Sequence, residues 1–179
     1  MCNVCVFSMF PINSKGRNTS ILTSFLLKEL EYRGYQPDLI VSSNIKSGCT
    51  GCGKCSDSLK CVFEDKVSNL SGKFICFIVT PVYFFGLPSQ TKAFLDRLYS
   101  KDMSKITFAP IYITGSQFYN GGVDLLIEQF DRIDRYCGST TLSPYNKVTY
   151  DTVLPLSTQD ILGIQDLIDR VEEVVSNEN

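Results

Sequence analysis

The stretch KFICFIVT, Lys73 to Thr80, holds six apolar residues in succession between a lysine and a threonine. A strand with one wet face alternates apolar and polar residues, whereas an unbroken run marks a strand covered on both faces. Such cover takes helices above and below the sheet, and these arrive as crossovers between parallel strands. The rest of the chain supplies the alternation. Asn3 to Phe7 reads as a short buried strand, and Asn18 to Gly34 carries Ile21, Leu22, Phe25, Leu26 and Leu30 at helical spacing, with Gly34 as its C-terminal cap. Pro37 to Val41 is a second strand. Leu87 to Ser100 is a helix with Phe94, Leu95 and Leu98 inward. Phe108 to Thr114 is a fourth strand, in which Pro110 predicts a place near the start or on an edge. Gly121 to Gly138 is helical and closed by Gly138, and a fifth strand lies within Thr140 to Thr149. A last helix opens on Ser157 as N-cap and runs Ile161, Ile164, Leu167, Ile168, Val171, Val174 and Val175 along one face. The expectation is one doubly wound α/β domain over residues 1–179.

Charge and composition narrow the function. Seventeen basic against nineteen acidic side chains leave a net charge of −2 with no basic run, which points to no nucleic-acid or membrane partner. The N-terminal MCNVCVFSMFP is apolar but has no basic region before it, and no apolar stretch approaches the ~18–20 residues of a membrane span. A cytoplasmic protein is expected. The chain has no histidine, so imidazole acid–base catalysis, Ser-His or Cys-His nucleophiles and His-ligated metals are excluded. An enzyme built this way borrows its chemistry from a cofactor.

Open α/β sheets bind ligands beyond the carboxyl ends of their strands. Three loops occupy that edge. The first, Ser8 to Thr19, brings Ser8, Asn13, Ser14, Asn18, Thr19 and Ser20 to a helix start, with Lys15 and Arg17 to add charge. Hydroxyls and free N–H groups at a helix N-terminus suit a phosphate monoester, although the same residue types also serve as plain helix caps. The chain has neither G-x-G-x-x-G nor a Walker motif there. The second loop, TPVYFFGLP, sets Tyr83, Phe84 and Phe85 at the end of the central strand, placed either to flank a flat ring or to pack as a self-contained turn. The third, Gly115 to Gly122, is glycine-rich and polar, fit to close over such a ligand.

Four of the eight cysteines, Cys49, Cys52, Cys55 and Cys61, fall in a segment at 47–63. Their spacing, C-x2-C-x2-C-x5-C, is that of the clustered thiolates of a bacterial ferredoxin, with a longer last gap. Structural zinc usually splits its ligands into two distant pairs and fits less well. A dithiol role for Cys52 and Cys55, or a reduced loop without a metal, stays open. Cys2, Cys5, Cys76 and Cys137 read as structural.

TPVYFFGLPSQTKAFLDRL resembles the T-P-V-Y…K-x-F-x-D-R segment of flavodoxin-like NAD(P)H-dependent FMN reductases, and GRNTS resembles the G-N-T of their phosphate loop. CTGCGKCSDSLKCVFEDKV is similar to the cysteine segment of the iron–sulfur flavoprotein branch, which carries a [4Fe–4S] cluster. The resemblance implies a flavodoxin-like sheet of five parallel strands in the order 2-1-3-4-5, with FMN at the switch point between strands 1 and 3. It implies that Ser8, Asn18, Thr19 and Ser20 hold the phosphate, to which the charge of Arg17 would add. Pro81, Val82, Tyr83, Phe84, Phe85 and Gly86 would line the isoalloxazine, with Thr114 and Gly115 on its other side, and Cys49, Cys52, Cys55 and Cys61 would ligate a [4Fe–4S] cluster. By the same resemblance, FMN passes electrons from NAD(P)H to a flavin, a quinone or a similar small acceptor. The alternative is an electron carrier fed through the cluster by a ferredoxin-like protein, and a third possibility is a flavodoxin-like binding protein without turnover. A homodimer or higher homo-oligomer is implied. The family's Lys92, Asp96 and Arg97 read as structural, Lys92 and Asp96 as a surface i, i+4 pair. Residues 64–72 are about a turn too short for the usual second helix, so the cysteine segment is expected to supply most of that crossover.

Overall fold

The computed structural model of the chain describes residues 3–115, 121–150 and 152–177. Strands β1 (Asn3–Ser8), β2 (Asp38–Val41), β3 (Phe74–Pro81), β4 (Ile106–Thr114), β5 (Thr140–Thr141) and β6 (Tyr145–Val148) alternate with helices α1 (Asn18–Tyr32), α2 (Cys55–Ser58), α3 (Lys66–Asn69), α4 (Ser89–Leu98), α5 (Val123–Cys137) and α6 (Thr158–Asn177). All pairings are parallel in the order β2-β1-β3-β4-β5, and β6 continues alongside β4. This is the flavodoxin-like doubly wound sheet, with its switch point between β1 and β3.

The apolar run behaves as its composition dictates. All eight residues of β3 are buried. Phe74, Cys76 and Ile78 belong to one core with Phe94, Leu98 and Phe130 of α4 and α5, while Ile75, Phe77 and Val79 belong to the other with Leu22, Leu26, Ile164 and Leu167 of α1 and α6. The alternation of period two sends successive side chains to opposite layers, and both layers are dry.

The helix ends obey local rules. Gly34, at φ 87°, closes α1 with Gly34 N–H donating to the Glu31 carbonyl and Tyr35 N–H to that of Leu30, a Schellman pair. Gly138, at φ 77°, ends α5. Ser157 Oγ accepts from Asp160 N–H while Asp160 accepts from Ser157 N–H, which fixes the start of α6. The crossover from β2 to β3 carries only the four-residue α3 as its late helix, so the cysteine segment does provide most of it.

Pro110 departs from expectation. It sits in the middle of β4, opposite Ile78 of β3, and not at a start or an edge. The reason lies on its other flank. There the fifth strand is broken into β5, paired at Thr107 and Phe108, and β6, paired from Ile111 onward. A proline has no N–H to give a ladder, and the break falls where none is asked of it. A cavity of about 780 Å³ opens between the break and α5, lined by Pro110, Tyr112, Ile127, Leu142 and Pro144 among others.

Candidate cofactor site at the carboxyl edge of the sheet

β1 ends at the buried Ser8, and Met9 N–H still donates to the Val79 carbonyl, so the chain leaves the sheet at the switch point. Gly16, at φ 69°, turns it into α1. The N-cap of α1 is Arg17, which has extended backbone angles and no side-chain acceptor to offer the helix. The nearby polar side chains do not cap it either. Ser8 Oγ donates to the Phe10 carbonyl (2.7 Å) and Ser20 Oγ to the Pro11 carbonyl (2.9 Å). Asn18 spends its amide on Thr152 O and Leu154 N–H (2.6 and 2.9 Å). The Arg17 guanidinium lies over the Phe10 ring, 4.0 Å from its centroid. These side chains therefore shape the loop, and the first-turn N–H groups of a fifteen-residue helix have no side-chain cap, an arrangement that favours an anion.

Beyond β3, Val82 N–H donates to the Ile113 carbonyl, and Tyr83 and Gly86 exchange two hydrogen bonds of 3.0 Å each. Phe84 and Phe85 between them have φ of 49° and 60°. A tight two-residue turn with both φ positive normally takes Asn-Gly. Two phenylalanines there carry roughly 1–2 kcal/mol of strain each. They hold their rings out of the core: Phe84 is fully exposed, and Tyr83 and Phe85 are half-exposed. Backbone strain held at a ligand edge is a recurring mark of function. The self-packed turn is thus not what forms. Pro81, by contrast, is the buried last residue of β3.

Gly122 backs onto this turn. Its φ is 90°, and a Cβ there would stand 2.5 Å from Phe85 Cα, so only glycine lets α5 begin so close to it. Thr114, buried at the end of β4, offers its carbonyl to Thr149 N–H and Oγ1 (2.8 and 3.1 Å). Gly115 follows; positions 116–120 of the third loop lie outside the described residues. Gly122 falls at the end of the glycine-rich third loop that the sequence marked, whereas Thr149 and the segment held by Asn18 were not legible as neighbours of this edge. No sequence signal marks those two.

The cysteine segment is gathered at its base and not at its sulfurs. Arg97, buried in α4, donates through Nη1 and Nη2 to both oxygens of Asp65 (2.9 Å each), and also to the carbonyls of Ser47 and Phe63 (2.9 and 3.0 Å). Burial opposes the charge on Asp65, but the guanidinium and the N–H groups of Lys46 and Ser68 outweigh it and hold the carboxyl below its ordinary value. Asp65 also caps α3 through the N–H groups of Val67 and Ser68. Cys61 stands beside Arg97. Cys49 lines a separate cavity with Leu95, Phe108 and Cys137. Cys55 opens the single turn of α2, whose last cap, Leu59, is left-handed at φ 52°. The exposed Cys52 thiol is lowered chiefly by the Lys54 N–H.

Among the described residues no three Cys, Asp or Glu side chains stand close enough to hold a metal ion. The ligand set expected at Cys49, Cys52, Cys55 and Cys61 is not assembled: Cys61 answers to Arg97 and Cys49 to the cavity beside Leu95 and Cys137. A [4Fe–4S] cluster does not fit this arrangement. Of the other cysteines, Cys5 and Cys76 face each other across β1 and β3, both buried, which pushes the Cys76 thiol well up. Cys137 is half-buried at the end of α5, and Cys2 lies outside the described residues. Lys92 and Asp96 form the expected surface pair.

Residues 12–145 match the model of the NADPH-dependent FMN reductase family. The chain belongs to that family. Among curated proteins, this FMN reductase relative is 31% identical to an iron–sulfur flavoprotein of Methanosarcina thermophila over 88 residues, 46% of either chain, so the match spans about half the length of each. Among solved structures, the NAD(P)H:quinone oxidoreductase from Methanothermobacter marburgensis superposes with a TM-score of 0.63 at 11% identity, covering 93% of this chain and 95% of that one. The flavodoxin of Streptococcus pneumoniae gives a TM-score of 0.57 at 17% identity, covering 94% and 96%. These two likenesses speak to the fold. FMN fits the carboxyl edge on two observations: an α1 N-terminus without a side-chain cap for the phosphate, and an outward-facing aromatic turn at the next strand for the ring. No helix among the described residues is long and apolar enough to cross a membrane.

Proposed function

We propose that the chain is an FMN-dependent oxidoreductase that takes a hydride from NADH or NADPH and passes the electrons to a flavin, a quinone or a similar small acceptor. The observation that carries this reading is the pairing of the α1 N-terminus with the strained Tyr83–Gly86 turn on the two strands that flank the switch point. When bound, FMN supplies the two-electron chemistry, and the chain's own residues hold and orient it. The first-turn N–H groups of Asn18, Thr19 and Ser20 take the phosphate, with Arg17 adding charge at the rim. Val82 to Gly86 flank one side of the ring and Thr114 with Gly115 the other, which keeps water from the reacting face. Hydride transfer asks for orientation more than for a general base, in keeping with a chain that has no histidine.

Anaerobic rapid mixing of the FMN-loaded protein with NADH and with NADPH tests the reading. Flavin absorbance should bleach within the turnover time with at least one of them. Flavin that neither donor reduces would refute the nicotinamide-dependent activity.

A second reading, an electron carrier fed by a ferredoxin-like donor through a [4Fe–4S] cluster, draws on the C-x2-C-x2-C-x5-C spacing and the iron–sulfur flavoprotein relative. The dispersed sulfurs stand against it. Iron and acid-labile sulfide assayed on anaerobically purified protein separate the two: none favours the first reading, about four of each per chain the second.

A further inference from the structure

Asn18 begins α1, yet its side chain reaches a part of the chain more than 130 residues away: Nδ2 donates to the Thr152 carbonyl and Oδ1 accepts from Leu154 N–H. Resting on the FMN reading above, we propose that Asn18 is a positioning residue. Its side chain latches residues Thr152–Ser157 as a strap beside the phosphate end of the site, while its own backbone N–H remains among those offered to the phosphate.

The strap is firmly moored at its far end. Lys147 Nζ donates to the Pro155 carbonyl (3.2 Å) and to Asp160 Oδ2 (2.7 Å), and Ser157 gives that same carboxylate both its N–H and its hydroxyl (2.7 and 2.8 Å). Tyr145 OH donates to the other carboxylate oxygen, and Gly163 lets α6 approach the Tyr145 ring. The run into the strap starts at Thr149, whose N–H and hydroxyl both hold the Thr114 carbonyl. The strap therefore leads from the residue expected beside the flavin ring to the helix expected beside the phosphate. Between these ends Thr152 gives its N–H and hydroxyl to the Thr149 carbonyl (3.0 and 2.7 Å), a contact within the strap's own run, and Val153 is half-exposed. A segment with an exposed middle opens locally at little cost, so the two hydrogen bonds from Asn18, which tie residues 152–154 to α1, bear directly on how long it stays in place. By linkage, a phosphate that orders the first turn of α1 also orders Asn18, and the strap with it.

The test compares wild type with Asn18→Ala. Asn18 is half-buried at a helix start, where alanine is well tolerated, and circular dichroism with the thermal midpoint confirms the fold. Hydrogen exchange of ligand-free proteins should show the Val153–Leu154 amides exchanging about tenfold faster in the variant, with β3 amides unchanged. Added FMN should slow that exchange in wild type only, and FMN should leave the variant about tenfold faster. Equal exchange in the two ligand-free proteins overturns the latch. A freed strap with unchanged FMN dissociation overturns its part in holding the cofactor. A wild type that binds no FMN overturns the FMN reading on which the proposal rests, and the ligand-free comparison keeps that failure distinct from the first.

Discussion

Gly122 and Phe85 meet backbone to backbone: a single added carbon at position 122 would lie 2.5 Å from the Phe85 Cα. The contact joins the start of α5 to the aromatic turn and so holds two of the three carboxyl-edge loops in one arrangement. Gly122→Ala meets both the clash and the positive φ of 90°. It should destabilise the fold by about 1–3 kcal/mol and weaken FMN binding more than a comparable change outside the site. Urea unfolding beside an FMN titration checks both effects.

The strain in the turn predicts a separation of stability from function. Phe84→Asn with Phe85→Gly gives the turn the residues its φ values of 49° and 60° prefer. The double variant should be more stable by about 1–3 kcal/mol, yet bind FMN less well for want of its aromatic rings. A variant that gains no stability contradicts the strain, and one that binds FMN as tightly as wild type contradicts the role of the rings.

Removing one partner of the Arg97–Asp65 pair leaves the other buried and uncompensated. Arg97→Met should cost about 3–5 kcal/mol and unmoor Ser47 to Phe63, whereas adding Asp65→Asn should recover part of the loss. A double-mutant cycle in urea measures it, and limited proteolysis within the cysteine segment reports the unmooring.

Acid should expose the two buried aspartates. Burial works against the charge of Asp160, but Lys147, Ser157 and Tyr145 overcome it and bring the carboxyl down to about 2. Asp65 is depressed in the same sense. A carboxyl lowered on folding adds stability that is fully present above its unfolded value, about 4, and is lost as pH falls through its folded value. For Asp160 about 2 kcal/mol should vanish between pH ~4 and ~2. The double variant Lys147→Met, Asp160→Asn should show a flatter profile, measured as unfolding free energy against pH.

The fold was legible because β3 is buried on both faces and its sequence has to say so. The end of α1 was legible too, since Gly34 supplies a conformation that few other residues tolerate. Pro110 misled: whether a strand tolerates proline depends on its neighbour, and the break between Thr141 and Tyr145 is a fact of pairing. At the site, the residue types around Asn18 pointed to a phosphate. That the side chains of Ser8, Asn18 and Ser20 are engaged within the protein, which under the proposed function leaves the anion to backbone N–H groups, follows from contacts as distant as Thr152 and Leu154. The cysteine spacing was plain in the sequence, but spacing does not fix where sulfurs point once Cys61 is drawn to Arg97 and Cys49 to the α4–α5 groove.

Under the proposed function a phosphate-bearing flavin binds at the α1 N-terminus and the aromatic turn. Fluorescence titration of flavin-free protein with FMN and with riboflavin tests it most directly, because the two ligands share the ring and differ in the phosphate. One FMN should bind per chain, and riboflavin should bind more weakly by about a hundredfold or more, the worth of one or two charge-assisted hydrogen bonds. Equal affinity for the two, or no binding of either, would contradict it.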